Sequence, residues 1–595
     1  METPANTTVN AKWKSYSAGC SDSLIKVMRR MKGWHKLKKY VMADLSQDSS
    51  SYASFSLGHW EAEATAEDSE STLEQAPAKM PRVDPLWGEE GPLLIEISLN
   101  DNLDWLKRRF SYPLNSGLVI RPLVIGGGSL EGAVIYLESQ VDWQYLSRTV
   151  VQPLIAANLP GDPPLDVQML TLRILTNSHA TTTTYLGDIE QNVLNGSAVV
   201  IVDRLKEAVI VNVEDEEKRA LESPKTENVV RGPQVGFTEN LQTNLSLIRR
   251  RLNTPDLIVE SGVVGKISRT RIAIVYLKTI ANVELVNEVR TRIAAIQIDY
   301  VGDSGMVEQM IEDSPNSIYP GMLNTERPDR TAGQIADGYV GILVDNSPFA
   351  LIVPANFPLF LQTSEDAYLR WQYSSFIRII RTIGFFMSLY LPALYVAIAN
   401  YHHEMIPTTL ILAIAGTRES VPLPVAAEAF LLESMFELIR EAGVRIPSVI
   451  GPTIGIVGAL ILGQAAVQAN IVSPIVVIVT SATALASYTI PNYNMQFTTR
   501  ILRFVYLGCA SFLGLVGVVL LSMMLWANWA ASNRFGVPNL APIAPYRPSE
   551  DTLLRAPMKL QSSRPLSVRP RKTRKLPDVQ GDAPSLPPEQ GETRP

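Results

Sequence analysis

The residues whose types and spacing could do chemistry lie in one helix-like segment, Val425 to Gly443, between apolar stretches. At about 100° per residue, four of its charged side chains share one face and Glu428 points elsewhere. Charges among membrane segments are costly, so they usually face a bundle interior, a partner or a water-filled path. The candidates for lining a pore or making a subunit contact are Glu428, Glu433, Glu437, Arg440, Glu441 and Arg445.

The same segment has an alternative interpretation that needs no pore. An amphipathic helix can lie in the membrane interface with its apolar face in lipid. Glu433, Glu437 and Arg440 would then form a ladder of charges in contact with water. The spacing favours neither interpretation.

A second charged segment, Leu221 to Leu252, ends a helix-like stretch with three successive arginines. An arginine cluster can bind phosphate or carboxylate. The favoured alternative is that these arginines pair with Glu222, Glu227 and Glu239 and hold the flanking regions together. The candidate residues of this linker are Arg231, Glu239, Arg249, Arg250 and Arg251.

No catalytic constellation accompanies these segments. The sequence GGGSLEG at 126–132 lacks the Lys-Ser/Thr pair of a phosphate loop, and the five histidines form no HExxH pattern. Two cysteines, Cys20 and Cys509, offer neither a disulfide framework nor a cysteine metal site. We therefore expect no enzyme, no cofactor and no metal, and the net charge of -6 does not suggest a nucleic-acid partner.

The elements that position these residues begin after a polar leader. Residues 1–90 lack a secretory signal and are poor in large apolar residues from residue 43 onward, which predicts a disordered leader that starts in the cytoplasm. Within it, 24–40 carries seven basic residues and no acid at roughly helical apolar spacing. This stretch could bind an anionic membrane surface, although a solvated leader is the favoured interpretation.

A tandem repeat follows the leader. AVIYLESQVD at 133–142 corresponds to AIVYLKTIAN at 273–282, and GSAVVIVD at 196–203 corresponds to GYVGILVD at 338–345. An offset held at about 140 residues across separate segments indicates duplication. We predict one α/β unit at 91–215, a linker with a helix at 216–254, and a second α/β unit at 255–357.

The remaining chain predicts an all-α polytopic membrane domain over 376–533 with four to six helical segments. Residues 382–401 are uncharged and contain Pro392, 446–499 has no charge in 54 residues, and 504–533 is another uncharged stretch. Since a span needs about 20 apolar residues, these stretches supply four spans. The fold class is thus a soluble α/β region of two similar units followed by a helical membrane domain.

Topology follows from the basic residues that flank the spans. Arg370, Arg378 and Arg381 precede the first span, which places the α/β region in the cytoplasm by the positive-inside rule. Arg500 and Arg503 suggest that the last span also starts inside. A last span that starts inside would put the tail outside. The Pro-rich tail, 534–595, is basic and would itself favour the inside, so its side stays open.

Several long strings resemble the A subunit of the GerA-type spore germinant receptors. They are VVRGPQVGFTENLQTNLSLIRRRL at 229–252, ERPDRTAGQIADG at 326–338, TRESVPLP at 417–424, FELIREAGVRIP at 436–447 and GIVGALILGQAAVQANIVSP at 455–474. A close paralogue, the stage V sporulation protein AF type, shares most of these motifs. The long leader and the extended tail look like additions to the usual family form.

The resemblance implies an integral protein of the inner spore membrane. Such a subunit acts with a transporter-like B subunit and a lipoprotein C subunit, and it oligomerises around an ion-conducting pore that a nutrient opens. On that view the ionic face of 425–443 lines the pore or contacts another subunit. The alternatives are a non-conducting signalling scaffold, a paralogous accessory of the germination complex and, more weakly, a coupled transporter.

Overall fold

A computed structural model describes residues 93–125, 130–157, 167, 170–175, 180–214, 223–314, 317–445, 463–544 and 551–575. Several predictions fall outside these residues: the leader with its basic stretch, most of the 126–132 turn, the first part of the uncharged stretch that begins at 446, and the tail beyond 575.

The first α/β unit is built on a five-stranded antiparallel sheet with the order β1-β2-β4-β5-β3. Its strands are β1 (Leu118–Ile125), β2 (Leu130–Leu137), β3 (Ala180–Thr183), β4 (Ser197–Val202) and β5 (Ala208–Asn212). Its helices are α1 (Leu99–Arg109), α2 (Trp143–Leu146), α3 (Gln152–Ala156) and α4 (Leu186–Leu194), with π-helical turns at Ser147–Val151 and Leu170–Ile174. Separate apolar clusters cover the two sheet faces, which explains why the central strand β4 is apolar at nearly every position.

The second unit repeats this topology with the sheet order β6-β7-β9-β10-β8. Its strands are β6 (Leu257–Val264), β7 (Thr270–Leu277), β8 (Leu323–Thr325), β9 (Val340–Val344) and β10 (Ala350–Val353). Its helices are α5 (Leu241–Arg249), α6 (Val283–Ala294), α7 (Ser304–Ile311) and α8 (Pro328–Ala336). The predicted fold class of two similar α/β units is confirmed.

The repeat extends to the helix that we placed in the linker. The Leu99 N–H at the start of α1 donates to Asp203 Oδ1 (3.2 Å), and the Leu241 N–H at the start of α5 donates to Asp345 Oδ1 (3.1 Å). Both pairs are separated by the same offset, since 241 − 99 and 345 − 203 are each 142. Helix α5 also packs in the core of the second sheet, so it is the counterpart of α1 and a structural part of the second unit.

The carboxy-terminal half is helical. Its elements are α9 (Phe357–Leu361), α10 (Glu365–Tyr368), α11 (Trp371–Tyr401), α12 (Thr408–Arg418), α13 (Val425–Arg445), α14 (Pro474–Tyr488) and α15 (Tyr493–Ala531), followed by the short strands β11 (Asn533–Arg534) and β12 (Val537–Pro538). Among the described helices, α11 and α15 meet the length and apolarity of a membrane span by composition alone. Helices α12 and α14 are apolar but shorter.

Helix α15 is a hairpin. Its helical course breaks at Gly514, which has φ 60° and ψ −144°. The Thr498 hydroxyl donates to Ile318 O (2.7 Å), while the Trp529 ring stacks on the neighbouring Tyr319 at 4.2 Å. In a straight helix Thr498 and Trp529 would be about 46 Å apart, so the chain reverses at Gly514 and forms two arms, 493–513 and 515–531.

The hairpin corrects two parts of the sequence analysis. The stretch 504–533, predicted to be one span, is divided between the two arms. Arg503, which was placed before the last span, lies well inside the first arm and is buried. The turn itself needs glycine, because φ there is left-handed and a Cβ would meet the Tyr401 ring at 3.1 Å.

The tail lies on the same side of the bundle as the α/β units. Lys575 pairs with Asp337 of the second unit at 2.6 Å, and Arg564 Nε donates to Ala336 O at 2.9 Å. The end of the hairpin also returns to this unit, where the Phe535 N–H donates to Asp313 (3.0 Å). Packing therefore puts the tail beside the second α/β unit.

Candidate ionic site in the helical bundle

Helix α13 packs lengthwise in the bundle. Near the start of α13, the Ser473 N–H donates to Glu428 (2.7 Å). Five residues before its end, Arg440 donates to Ser487 Oγ (3.1 Å), so α13 runs parallel to α14. Between these contacts Glu433 meets the α11 and α15 helices through Arg503. Helix α13 therefore packs against α11, α14 and α15.

Arg503 is the centre of the site. Its Nη1 lies 2.6 Å from Glu433 Oε2, and each side chain is only 1% exposed. Its Nε donates to Ser388 O (3.0 Å) and its Nη2 to Ser388 Oγ (3.3 Å). One guanidinium therefore connects α13 and α11 to the first arm of α15.

The contact with Ser388 compensates for a proline. In a helix the Ser388 carbonyl would accept from the N–H four residues later, but that residue is Pro392, which has none. Helix α11 nevertheless continues through Pro392. Arg503 supplies the missing donor, so its burial satisfies a carbonyl as well as a carboxylate.

Glu428 forms a second buried contact. Its carboxylate accepts from the Ser473 N–H at the amino-terminal end of α14 and lies 3.5 Å from Arg418 of α12. A helix amino terminus favours negative charge, so the residue both neutralises Arg418 and caps α14. The sequence prediction that Glu428 points away from the other carboxylates agrees with these different partners.

The remaining charges of α13 become more exposed toward its carboxyl end. Glu437 pairs with Arg440 at 3.0 Å and lies 4.0 Å from Arg500, and its side chain is 25% exposed. Glu441 and Arg445 form a surface pair at 2.7 Å, with 64% and 78% of the side chains exposed. The predicted ionic face is therefore graded from a sealed interior at Glu433 to an open surface.

Sequence reasoning missed the arginines that complete this site. Arg418, Arg500 and Arg503 come from other helices. The sequence analysis used Arg500 and Arg503 only as charges that flank a span and gave Arg418 no role. The signal that could have identified Arg503 is its position 11 residues before Gly514 in an apolar hairpin, where a charge needs a partner.

The linker arginines connect the two α/β units. Arg249 is buried and its Nη2 donates to Asn115 Oδ1 of the first unit (3.2 Å), and burial lowers its pKa to about 10. Arg250 lies 3.1 Å from Glu214, also in the first unit. The third, Arg251, follows α5 and donates to Leu247 O of that helix (3.0 Å).

The partners of these arginines differ from the expected ones. Glu227 pairs with Arg330 of α8 instead, while Glu222 lies outside the described residues. The backbone N–H of Arg231 donates to Glu365 (3.0 Å), and Glu239 accepts from the Asn346 N–H through its backbone carbonyl. The segment thus connects the two α/β units through Asn115 and Glu214, which are not the predicted partners.

A third cluster joins the short helix α10, the first long helix α11 and the tail. Asp366 is buried and accepts from Arg378 Nε (2.9 Å) and Arg381 Nη1 (2.8 Å). Arg378 also donates to Asp551 (2.7 Å), and Arg555 donates to the Asp366 carbonyl. We call Asp366, Arg378, Arg381, Asp551 and Arg555 the junction cluster.

The contact between α7 and the start of α15 is sensitive to pH. Burial raises the pKa of Glu308 from 4.5 to about 7, and the nearby Glu312 and Asp303 raise it further against the opposing hydrogen bond from Asn494. Because the folded state holds this proton more tightly, the stabilisation is complete below about pH 4.5 and is lost as pH rises through about 7. We expect the free energy of unfolding to fall by up to about 3 kcal/mol across that window.

Thermal unfolding of the full chain in detergent, measured from pH 4.5 to 8, tests this expectation. Glu308→Gln should flatten the profile relative to the wild type. Glu288→Gln, which removes an exposed carboxylate from the neighbouring α6, should leave the profile unchanged. A wild-type slope that persists in Glu308→Gln would show that another group is responsible.

The fold and the site define a class of protein: a pair of like α/β units joined to an apolar helical bundle that holds paired charges in its interior. The chain belongs to the family described as Bacillus/Clostridium GerA spore germination protein, which it matches over residues 104–567. The resemblance found in its sequence motifs is confirmed.

Individual relatives agree with the family. The chain is 38% identical to spore germination protein KA of Bacillus subtilis (strain 168), over 81% of this chain and 88% of the relative. It is 38% identical to spore germination protein GerLA of Bacillus cereus, over 79% and 96%. A crystal structure of the N-terminal domain of the A subunit of the Bacillus megaterium spore germinant receptor GerK3 matches with a TM-score of 0.35 and 30% identity, over 45% of this chain and 99% of that domain.

Proposed function

We propose that the chain is the A subunit of a spore germinant receptor and a non-enzymatic component of an oligomeric, nutrient-gated ion channel. It would act in the inner spore membrane with a transporter-like B subunit and a lipoprotein C subunit, with its α/β units in the cytoplasm. Support comes from family membership and from the ionic interior of the apolar bundle.

The observation that carries the proposal is the graded ionic face of α13. Glu428 and Glu433 are sealed inside one subunit and hold helices together. Glu437 is partly exposed, so it can reach water or a neighbouring subunit without unfolding the bundle. We assign the ion path to the Glu437 end of the face and a structural role to the Glu433 end.

Ion flux into liposomes tests this assignment. The purified receptor complex should pass monovalent cations when germinant is added, and Glu437→Gln should change the selectivity among cations while assembly stays normal. Glu419→Gln, an exposed carboxylate in the turn before α13, is the matched control and should behave as the wild type. A silent membrane with an intact complex would refute conduction.

A non-conducting scaffold is the second candidate. It is favoured by the junction cluster, which ties α10 to the first long helix, and by the Tyr368 hydroxyl of α10, which donates to Asp329 of the second unit (2.9 Å). On this account Glu437→Gln would disturb assembly and leave selectivity unchanged. A coupled transporter would accumulate substrate without a channel current. A stage V sporulation protein AF-like accessory would function without B and C subunits.

A further inference from the structure

A cavity of about 670 Å³ opens between the two α/β units and the tail. Each of the three parts supplies one wall. Trp105 and Arg108 come from α1, Asp256 and Lys278 come from the ends of β6 and β7, and Arg571 and Lys572 come from the tail. Its volume lies within the usual range of small-molecule sites, which often form where domains meet.

The walls carry an excess of positive charge. Arg109 also lines the cavity but is neutralised by Glu190 at 2.7 Å. Within the described part of the chain, Arg108, Lys278, Arg571 and Lys572 form no ion pair, and Asp256 is the one acidic residue among the lining side chains. Four cations around one cavity repel each other, and a bound anion would relieve that repulsion.

Backbone contacts help to hold the walls in place. The Lys278 N–H donates to Asp256 O (3.0 Å), and the Arg571 N–H donates to Ile280 O (2.8 Å). Lys278 Nζ donates to the Ser111 hydroxyl (2.8 Å), and Arg571 Nη1 donates to the Lys278 carbonyl (3.3 Å). The tail therefore brings two cations toward a cavity whose own residues would repel them.

From this arrangement we propose that the cavity binds a soluble anion that carries two or more phosphate groups. The cations bind the phosphates, and the half-buried Trp105 offers an aromatic surface for a planar ring. Because the tail forms one wall, the ligand also fastens the tail to both α/β units. The inference does not depend on ion conduction.

Calorimetric titration of the full chain in zwitterionic lipid nanodiscs tests the proposal, with ATP and inorganic tripolyphosphate as probes. Both should bind at low ionic strength. The double variant Arg108→Gln, Lys278→Gln should raise the dissociation constant of each probe about tenfold or more, since about 1.4 kcal/mol of lost attraction is tenfold in affinity. Arg571→Gln, Lys572→Gln should do the same and should abolish the protection of the tail from protease by ATP.

The matched control is the double variant Lys266→Gln, Arg204→Gln, which removes two exposed cations that do not line the cavity. Lys266 lies at the opposite end of β6 and β7 from the cavity. It should bind both probes as the wild type does. Equal losses in the control and cavity variants, or no binding of either probe by the wild type, would overturn the proposal. It would also be overturned if the cavity variants changed only binding to nanodiscs that contain anionic lipid, because the ligand would then be a lipid headgroup.

Discussion

Replacing Arg503 by leucine is expected to be the most destabilising single change in the bundle. The substitution leaves the Glu433 carboxylate buried without its cation and the Ser388 carbonyl without the donor that Pro392 cannot provide. Loss of one partner from a buried ion pair costs about 3–5 kcal/mol, and the unsatisfied carbonyl adds about 1–3 kcal/mol. Thermal unfolding of the full chain in detergent measures the loss as a fall in Tm.

A double-mutant cycle separates the two contributions. Glu433→Leu alone should cost less than Arg503→Leu, because Arg503 keeps its contact with Ser388. Combining both changes should cost less than their sum, since the apolar pair leaves no unpaired charge. Arg445→Leu, which removes an exposed arginine from the same helix as Glu433, is the control and should cost less than about 1 kcal/mol. Additive losses would mean that Glu433 and Arg503 do not interact.

The second large effect is expected at the junction cluster. Asp366→Ala removes the carboxylate that accepts from both Arg378 and Arg381, so two guanidinium groups lose a buried partner. We expect a loss of about 3 kcal/mol, together with faster proteolysis of the tail, because Arg378 also binds Asp551. Limited proteolysis followed by mass spectrometry reports the release of the tail directly.

Asp551→Ala is the matched control for this cluster. Its carboxylate is one-third exposed and Arg378 keeps Asp366, so it should loosen the tail without a comparable fall in Tm. Burial alone would raise the pKa of Asp366, but Arg378 and Arg381 outweigh it and hold the pKa below its ordinary value. The stabilisation is therefore present above about pH 4 and lost in stronger acid. If Asp366→Ala and Asp551→Ala lowered Tm by similar amounts, Asp366 would not be the main stabilising carboxylate of the cluster.

These two clusters define how the α/β region can influence the bundle. The junction cluster lies at the first turns of α11, and Arg503 donates a hydrogen bond to the same helix farther along, at Ser388. Because the Tyr368 hydroxyl of α10 donates to Asp329 of α8 (2.9 Å), a displacement of the second unit would act on α10 and, through Asp366, on α11. Glu308 adds a third contact, at the start of the α15 hairpin, whose strength depends on pH.

The sequence predicted the repeated units because duplication leaves local signals. The strand pairs at 133–142 and 273–282 keep their apolar pattern, and each copy must bury it on both faces of a sheet. The helix α5 was not recognised as part of the repeat, because its match to α1 rests on capping contacts from Asp203 and Asp345, which are more than 100 residues away in the chain.

The sequence by itself determined the order of the parts, the carboxylates of α13 and the family, since each depends on local composition or on continuous motifs. Only the tertiary structure decided which of those carboxylates are sealed, because their cations come from other helices. It likewise decided the reversal at Gly514, because a glycine in an apolar stretch has no local preference between helix and turn and packing against Tyr401 selects the turn. Packing against the second unit decided where the tail lies. The graded ionic face of α13 is thus a property of the assembled bundle.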